Sequence, residues 1–281
     1  MRPVEALRLR ALDVLDALVG RRDPLVPPRR LRGTVGDSDF VATGEEVAAL
    51  LADATGLGPE DRVLDVGCGI GRVARPLTRR LGAAGSYDGL DASARAISWC
   101  ERRYARRHPG FRFTHLDVAN AQYNPGGALA ARDARFPWED ASFDVALAAS
   151  LFTHLLADGT DRYLAETARV LRPGGCLLAT FFLLDEEARR LQGDGKPAIR
   201  LHRERWPVAV ADPDDPEAAV GYDEGWVRGR LVDHGLELRE VRRGTWSGRD
   251  SRGGFQDAVV AVRRGEGRPR TGARTARGAT R

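Results

Sequence analysis

Cysteine is scarce in this sequence, and its pattern excludes two kinds of site. The 281 residues contain three cysteines, Cys68, Cys100 and Cys176, an odd number with wide spacing and no CxxC pair. A disulfide framework and a cysteine-based zinc site are therefore excluded, and free thiols are typical of a reducing cytosol. No histidine and carboxylate pair has metal-ligand spacing either, so we expect no catalytic metal.

Long apolar runs are also missing. The two longest, around residues 143–152 and 176–184, are far shorter than the roughly 20 residues that a membrane-spanning helix requires. Charged residues are scattered through the N-terminus, where a secretory signal would have an apolar block. We therefore predict a cytoplasmic protein without a membrane segment.

Lysine occurs once, at Lys196, so the 44 basic residues are almost all arginine. Residues 263–281 hold seven arginines and one glutamate, a net charge of +6, whereas the whole chain carries +4, so the rest of the chain sums to −2. The folded part thus shows no excess of basic charge for nucleic acid, and the tail has too few apolar residues to fold. We predict a disordered tail at residues 265–281; the alternative is an arm that holds RNA or another polyanion.

Strand-like and helix-like stretches alternate along the chain, which is typical of a layered α/β domain with a mostly parallel sheet. Strands are predicted at residues 62–66, 85–91, 111–116, 143–149, 174–184, 236–243 and 255–263. Helices are predicted at residues 3–19, 44–56, 71–81, 93–107, 159–171 and 223–234. We divide the chain into an N-terminal helix and lid segment (1–44), a main domain (45–264) with an inserted segment (186–222), and the tail.

The stretch VLDVGCGIGR, at residues 63–72, joins a short apolar strand to three glycines at every second position. Glycines between a strand and a helix let a ligand approach the backbone closely, and they expose amide groups near the helix N-terminus. Asp91 follows Gly71 by 20 residues and ends the next predicted strand, where nucleotide-binding sheets carry the carboxylate that binds ribose hydroxyls. The sequence therefore predicts a ribose-containing ligand over this turn.

The spacing of the glycines separates two kinds of ribose-containing cofactor. A dinucleotide fingerprint has glycine at its first, third and sixth positions, but the sixth position counted from Gly67 is Arg72. Asp65, at the end of the strand, would repel a pyrophosphate and would attract a cationic amine. The pattern favours a cationic cofactor over a dinucleotide.

Four segments, in sequence order, make residues 40–185 resemble the class I S-adenosylmethionine-dependent methyltransferases. They are VLDVGCGIGR, YDGLDAS, FTHLDVAN, and the pair FPWEDASFDVALAASLFTHL with ETARVLRPGGCLLATFF. The resemblance implies an α/β, Rossmann-like fold with a seven-stranded, mostly parallel, doubly wound sheet whose last strand is antiparallel. It also implies S-adenosylmethionine as the cofactor and S-adenosylhomocysteine as its product.

The same resemblance implies a set of cofactor-binding residues. Those around the methionine part are Asp65, Gly67, Cys68 through its backbone, Gly69 and Gly71. Those around the nucleoside are Asp91 at the ribose, and Ala92, Asp117 and Val118 at the adenine. The backbone at Ala149 or Ser150 faces the amino group, and Phe40 and Thr43 are expected to touch the cofactor from the N-terminal segment.

The acceptor must bind outside the common core, in residues 20–44, 119–137 or 186–222. Transfer to a hydroxyl needs a base with a pKa near neutrality, and His154, just past the fourth strand, is the predicted catalytic base. The alternative is a structural histidine that caps the following helix or fills space beside the cofactor. The predicted substrate-binding residues are Phe152, His202, Trp206 and Tyr222.

The predicted function is methyl transfer to an oxygen or nitrogen of a small molecule, such as a secondary metabolite, sugar or lipid precursor. Two alternatives stay open: methylation of RNA or protein with the help of the arginine-rich tail, and cofactor binding without catalysis. Residues 149–152 read ASLF, where amino-methylating nucleic-acid enzymes carry Asn or Asp, two prolines and an aromatic residue. A nucleic-acid acceptor is therefore disfavoured, and the sequence indicates neither the acceptor nor the oligomeric state.

Overall fold

The structure is a computed structural model, and it describes residues 13, 23–32, 39–104, 106–193, 195 and 197–265. The predicted helix at residues 3–19 lies outside this part of the chain except for Asp13, and the predicted tail lies outside it except for Gly265. Within the described ranges, no helix has the length and apolar character needed to cross a membrane.

A ten-stranded sheet organises the described part of the chain. Its strands are β1 (Arg62–Val66), β2 (Ser86–Asp91), β3 (Phe111–His115), β4 (Phe143–Ala148), β5 (Leu171–Leu184), β6 (Arg203–Arg205), β7 (Val208–Val210), β8 (Val220–Asp223), β9 (Leu236–Arg242) and β10 (Asp257–Arg263). Seven of them lie in the order β3–β2–β1–β4–β5–β10–β9, and β10 is antiparallel to both of its neighbours. The first five strands pair in parallel, so the predicted seven-stranded arrangement is confirmed.

The other three strands come from the inserted segment and were not predicted. β8 pairs in parallel with residues 182–184 of β5, and β7 and β6 extend this edge as antiparallel strands. Each of these strands has three or four residues, which is too short for a two-residue alternation to be recognised in a sequence. The insertion is therefore an extension of the sheet at the end of β5.

Helices cover both faces of the sheet. They are α1 (Arg29–Arg32), α2 (Phe40–Thr55), α3 (Ala74–Leu77), α4 (Ala94–Tyr104), α5 (Ala157–Val170), α6 (Glu186–Gly193) and α7 (Glu224–Asp233). Alternate residues of a strand point to opposite faces: Val63 and Val145 pack with α2, α3 and α4, whereas Leu64 and Ala146 pack with α5 and α7. Burial on both sides explains why these strands read as continuous apolar runs.

Several element boundaries differ from the sequence predictions, and three of them bear on the turns around the sheet. α2 begins at Phe40 and not at residue 44, because the Asp39 carboxylate accepts hydrogen bonds from the first-turn amides of Val41 and Ala42. The helix predicted at 71–81 is reduced to α3, and the remainder of that stretch forms turns. β5 begins at Leu171, so the predicted RPGG turn lies inside the strand, where the pairing with β4 shifts register.

Candidate active site

The glycine turn after β1 is held by hydrogen bonds within the protein. The amides of Gly67 and Cys68 both donate to the Leu90 carbonyl, at 2.7 and 3.0 Å. The amide of Gly69 donates to Asp91 Oδ2 at 2.7 Å, and that of Gly71 to the Cys68 carbonyl at 3.1 Å. The expectation that this turn exposes its amides to a ligand therefore fails for these four groups, which leaves the turn poorly suited to an anion such as a pyrophosphate.

Glycine is required in this turn by backbone conformation and by crowding. Gly67, Gly69 and Gly71 all have positive φ, at 80°, 52° and 79°, which is a region that residues with a Cβ rarely adopt. At Gly71 a Cβ would also lie 3.1 Å from Tyr104 Oη and 3.2 Å from Cys100 Sγ. The turn is thus fitted against α4, which fixes the floor of the adjoining cavity.

A cavity of about 430 Å³ opens at the carboxyl ends of β1, β2 and β4, the edge where open parallel sheets bind ligands. Its volume lies within the range typical of small-molecule sites. The predicted residues that line it are Thr43, Asp65, Gly67, Cys68, Gly69, Asp91, Ala92, Val118, Ala149, Ser150 and His154. The fold thus brings together residues from five separate stretches of the sequence.

Asp65 is a buried carboxylate in the cavity wall, with 2% of its surface exposed. Tyr87 Oη donates a hydrogen bond to its Oδ2 at 2.5 Å. Burial raises the pKa of Asp65 to about 7; the Tyr87 hydrogen bond opposes this rise, and the nearby Asp91 carboxylate adds to it. The ionised form of Asp65 is therefore held at a free-energy cost that a cationic ligand would offset.

Asp91 is the second carboxylate of the cavity. Its Oδ2 accepts from Gly69 and its Oδ1 accepts from the Ser93 amide at 2.7 Å. Burial raises the pKa of Asp91, and these two backbone hydrogen bonds only partly oppose the rise. Asp65 and Asp91 together make this end of the cavity an acidic site, and we call them the acid pair.

Ser150, at the end of β4, has an uncommon backbone conformation for a residue other than glycine, with φ of 56°. Its amide donates to Thr180 Oγ1 at 2.7 Å, and its hydroxyl donates to Gln256 Oε1 at 3.1 Å. A left-handed conformation costs on the order of 1 kcal/mol or more and persists where the surroundings determine it, often at a functional site. Residues of β5 and of the loop before β10 therefore shape the cavity wall at Ser150.

His154 also lines the cavity, and it lies in a 3₁₀ turn at Phe152–His154. Its Nδ1 is 2.9 Å from the carbonyl oxygen of Glu217, in the inserted segment. Its own carbonyl accepts a hydrogen bond from Asn120 Nδ2 at 2.9 Å. The Tyr123 ring packs edge-on against the imidazole, with 5.4 Å between ring centroids.

Comparison with known proteins identifies the family. Residues 63–175 match the family model described as a methyltransferase domain. Over 145 residues the chain is 39% identical to phthiotriol/phenolphthiotriol dimycocerosates methyltransferase 1 of Mycobacterium ulcerans, which covers 50% of this chain and 45% of that protein. Over 119 residues it is 37% identical to a fatty-acid O-methyltransferase of Mycolicibacterium smegmatis, which covers 42% of this chain and 36% of that protein. The match thus spans less than half the length of these curated relatives.

Solved structures share the fold at low sequence identity. A protein from Pyrococcus horikoshii superposes with a TM-score of 0.53 and 18% identity, covering 82% of this chain and 93% of that one. A TehB-like SAM-dependent methyltransferase from Corynebacterium glutamicum gives a TM-score of 0.50 and 17% identity, covering 84% and 94%. Residues 63–175 form a class I, Rossmann-like methyltransferase domain. The predicted family is therefore confirmed for residues 63–175, and the predicted fold is confirmed as well.

Seven predicted site residues of this methyltransferase domain and its flanking segments do not line the cavity. Phe40 and Phe152 are core residues, and Phe152 stacks on Phe181 at 4.8 Å. Gly71, the third glycine of the turn, packs against Cys100 and Tyr104 of α4. Asp117 is exposed, and its carboxylate accepts from Asn124 Nδ2 at 2.8 Å.

The remaining three belong to the inserted segment. His202 and Trp206 are exposed on the β6–β7 hairpin, Trp206 with 71% of its surface accessible. Tyr222 is fully buried, and its hydroxyl contacts the Leu155 carbonyl at 2.5 Å and Thr160 Oγ1 at 2.8 Å. Tyr222 therefore supports the cavity wall from behind, because Leu155 lines the cavity.

Several residues of the cavity of the methyltransferase domain were not predicted individually. Asn120, Gln122 and Tyr123 line it from the loop after β3. This loop lies within residues 119–137, one of the three segments predicted to bind the acceptor. Tyr163, in the helix predicted at residues 159–171, also lines the cavity. Arg72 lines the cavity as well, and its position directly after the third glycine was a signal that could have identified it.

No group of three or more His, Cys, Asp and Glu side chains that could hold a metal occurs in the described part of the chain. All three cysteines are buried free thiols. Burial raises the pKa of the Cys68 thiol, and the neighbouring Asp91 carboxylate adds to the rise. Cys68 is thus a neutral, apolar part of the cavity wall and not a nucleophile.

Proposed function

We propose that this chain transfers the methyl group of S-adenosylmethionine to an oxygen atom of a small apolar acceptor. The observation that carries the proposal is the acid pair beside a glycine turn whose amides are already bonded within the protein. Such a wall suits a nucleoside that bears positive charge and opposes one that bears a pyrophosphate. The methyltransferase family of residues 63–175 supports the same cofactor.

The residues present fit S-adenosylmethionine in charge. Asp65 and Asp91 would offset its ammonium and sulfonium charges and accept hydrogen bonds from its ribose, while Arg72 supplies a cation on the same lining for its carboxylate. When bound, the cofactor would supply an electrophilic methyl group. The protein's own part is to hold the acceptor in line and to exclude water, which is worth roughly 7 to 11 kcal/mol of the barrier.

An apolar acceptor is supported by the rim of the cavity. Tyr123, Leu129 and Leu156 are 39%, 42% and 41% exposed. Tyr123 lines the cavity, Leu156 directly follows the lining residue Leu155, and Leu129 forms a β-bridge with the lining residue Val118. Exposed apolar residues around a cavity are typical of a binding site. One curated relative is named a fatty-acid O-methyltransferase. For this chain we propose long-chain acids and, beyond what that name covers, long-chain alcohols as acceptors.

His154 would act as the base for a hydroxyl acceptor. Because the Glu217 carbonyl can only accept, Nδ1 of His154 must carry the proton in their 2.9 Å contact, which leaves Nε2 with a lone pair in the neutral ring. An alcohol must lose its proton during transfer and would need this lone pair. A carboxylic acid is already ionised near pH 7, so its methylation would not.

This difference gives the experiment that tests the proposal. Purified protein is incubated with S-adenosylmethionine carrying a labelled methyl group and either hexadecanol or palmitic acid. We expect label in both products for the wild type, and His154→Gln to lose about a hundredfold or more in rate on the alcohol while keeping its rate on the acid. His234→Gln is the matched control, because His234 pairs with Asp161 and does not line the cavity.

The other acceptor classes are outcomes of the same labelling applied to a cell extract. Label recovered in RNA or protein would replace the small-molecule proposal, and the arginine-rich tail, which lies outside the described residues, would then be deleted to test its part. Tight cofactor binding with no label in any pool would favour a cofactor-binding protein without catalysis. We also propose a cytoplasmic location, which the three free thiols support.

A further inference from the structure

We propose that the inserted segment positions His154 through Glu217, so that Glu217 is a positioning residue for the base. The relevant part of the segment is a short turn at residues 215–218, which we call the clasp. This inference rests on the proposed function, since it explains how one ring nitrogen of His154 is kept available.

The clasp is bonded to the cavity wall at three points. The Glu217 carbonyl holds His154 Nδ1 at 2.9 Å. The Glu217 carboxylate accepts from the Ala121 amide at 2.6 Å. The Asp215 carboxylate accepts from the side-chain amide of Gln122, which lines the cavity.

These contacts close a ring of bonds around His154. Asn120, next to Ala121, donates to the His154 carbonyl at 2.9 Å. His154 is therefore held at its backbone by the loop after β3 and at its ring by the clasp, while Glu217 ties that loop to the clasp. The imidazole cannot rotate about its side-chain bonds without breaking the bond to the Glu217 carbonyl.

The clasp is itself fixed on both sides by the extension of the sheet. Ala211, just after β7, donates to the Ala219 carbonyl at 3.0 Å, and β8 follows at Val220. Tyr222 of β8 then reaches the Leu155 carbonyl, one residue beyond His154. Strands β7 and β8 thus deliver the Glu217 carbonyl to a set position, which gives the insertion a role in the reaction without contact with the cofactor turn.

The chemical consequence is a fixed tautomer. In an unrestrained neutral histidine either ring nitrogen can carry the proton. Here a carbonyl acceptor at Nδ1 selects the form with its proton there and a lone pair at Nε2, in the way that partners of one ring nitrogen commonly set the role of the other. Loosening the clasp should release both the tautomer and the orientation of the ring.

The test compares three variants. Glu217→Ala removes the acceptor for the Ala121 amide and loosens the clasp, whereas Glu217→Gln keeps an oxygen that can accept the same hydrogen bond. Asp214→Ala, at the exposed position directly before Asp215, is the control for loss of charge in this loop. Each is measured for its rate on hexadecanol, for S-adenosylmethionine affinity by calorimetry, and for the His154 tautomer by NMR of ¹⁵N-histidine-labelled protein, with His154→Gln used to assign the signal.

We expect Glu217→Ala to lower the rate by about tenfold or more, to leave cofactor affinity within about twofold, and to convert the His154 signal from one tautomer to a mixture. Glu217→Gln and Asp214→Ala should resemble the wild type in all three measurements. An unchanged tautomer in Glu217→Ala, or a rate loss that Glu217→Gln shares in full, would overturn the inference. The NMR measurement needs no acceptor, so it tests the positioning of His154 separately from the activity. A mixture of tautomers in Glu217→Ala would support the positioning of His154, even if the absence of methyl transfer by the wild type contradicted the proposed function.

Discussion

Two parts of the cavity, the proposed cofactor end around the glycine turn and the acid pair and the proposed acceptor end around His154, are built from different kinds of sequence. At the cofactor end, Asp65, the glycine turn, Asp91 and Ser93 lie within residues 65–93 and are joined by hydrogen bonds between β1 and β2. At the acceptor end, His154 depends on Asn120 and Glu217, which are 34 and 63 residues away in the chain. The first end is thus a local motif and the second is an assembly of distant loops.

This difference indicates which part of the fold can vary in sequence while cofactor binding is kept. The glycine turn is fixed by backbone conformation and by contact with α4, so few substitutions there leave it intact. The acceptor end is carried by the loop after β3 and by the clasp, and loops tolerate change while a rigid scaffold holds them. The predictions below separate the two ends by the size and kind of effect expected.

The largest effect on cofactor affinity is expected for Asp91→Asn. The substitution removes a charge from the acid pair and places an NH₂ group against either the Gly69 or the Ser93 amide, both of which are donors. Losing a charged hydrogen-bond partner costs about 1.5 to 3 kcal/mol, so the dissociation constant for S-adenosylmethionine should rise about tenfold to a hundredfold in calorimetry. Asp117→Asn is the matched control, because Asp117 lies outside the cavity lining; an equal loss of affinity there would contradict the placement of both residues.

A pH dependence of cofactor binding is expected next. A cationic ligand favours ionised Asp65. Burial raises the pKa of Asp65 to about 7, although the hydrogen bond from Tyr87 lowers it. Affinity should therefore be level above that pH and should fall below it by up to about tenfold per pH unit, with protons released on binding at pH 6. Buffers of different ionisation enthalpy report that release in calorimetry, and Asp65→Asn should abolish its Asp65-dependent part. A wild-type affinity independent of pH would exclude this role for Asp65.

The same pKa has the opposite consequence for stability. The folded-state pKa of Asp65 lies above its unfolded value of about 3.9, so between about pH 4 and pH 7 the folded protein binds more protons than the unfolded chain. The contribution of Asp65 to the free energy of unfolding should therefore fall as pH rises through this window. Urea titrations of wild type and Asp65→Asn at pH 5 and pH 8 measure the effect. The free energy of unfolding of Asp65→Asn, relative to that of the wild type, should be higher at pH 8 than at pH 5.

A smaller effect is expected at the wall between the two ends. Thr180→Val removes the acceptor of the Ser150 amide and the donor to Gln256, and it should lower the free energy of unfolding by about 1 to 3 kcal/mol. Thr167→Val is the matched control: Thr167 is also buried, but its hydroxyl has no hydrogen-bond partner among the residues that the structure describes. We expect that control to be neutral or stabilising in thermal unfolding, and similar losses in both variants would show that the Ser150 bond is not the cause.

The sequence predicted the cavity wall around the glycine turn and the acid pair nearly residue by residue, and the wall around His154 much less well. Asp65 and Asp91 were identifiable because strand ends and glycine spacing place them within one local motif. Asn120, Tyr123 and Glu217 gave no comparable signal, because their contacts with His154 depend on how two loops meet. Aromatic residues in the insertion suggested Trp206 and Tyr222, but the β6–β7 hairpin exposes the first and buries the second behind the cavity wall.

The smallest effect is expected for Trp206→Ala, and it tests whether the inserted segment touches the acceptor at all. Trp206 is 71% exposed at the β6–β7 turn and does not line the cavity. Substitutions at such surface positions usually change stability by less than about 0.5 kcal/mol, so unfolding, cofactor affinity and the KM for hexadecanol should all stay near wild type. A KM raised about tenfold with kcat unchanged would mean that Trp206 folds onto the acceptor during binding. The insertion would then form part of the substrate site directly, and not only through its hold on His154.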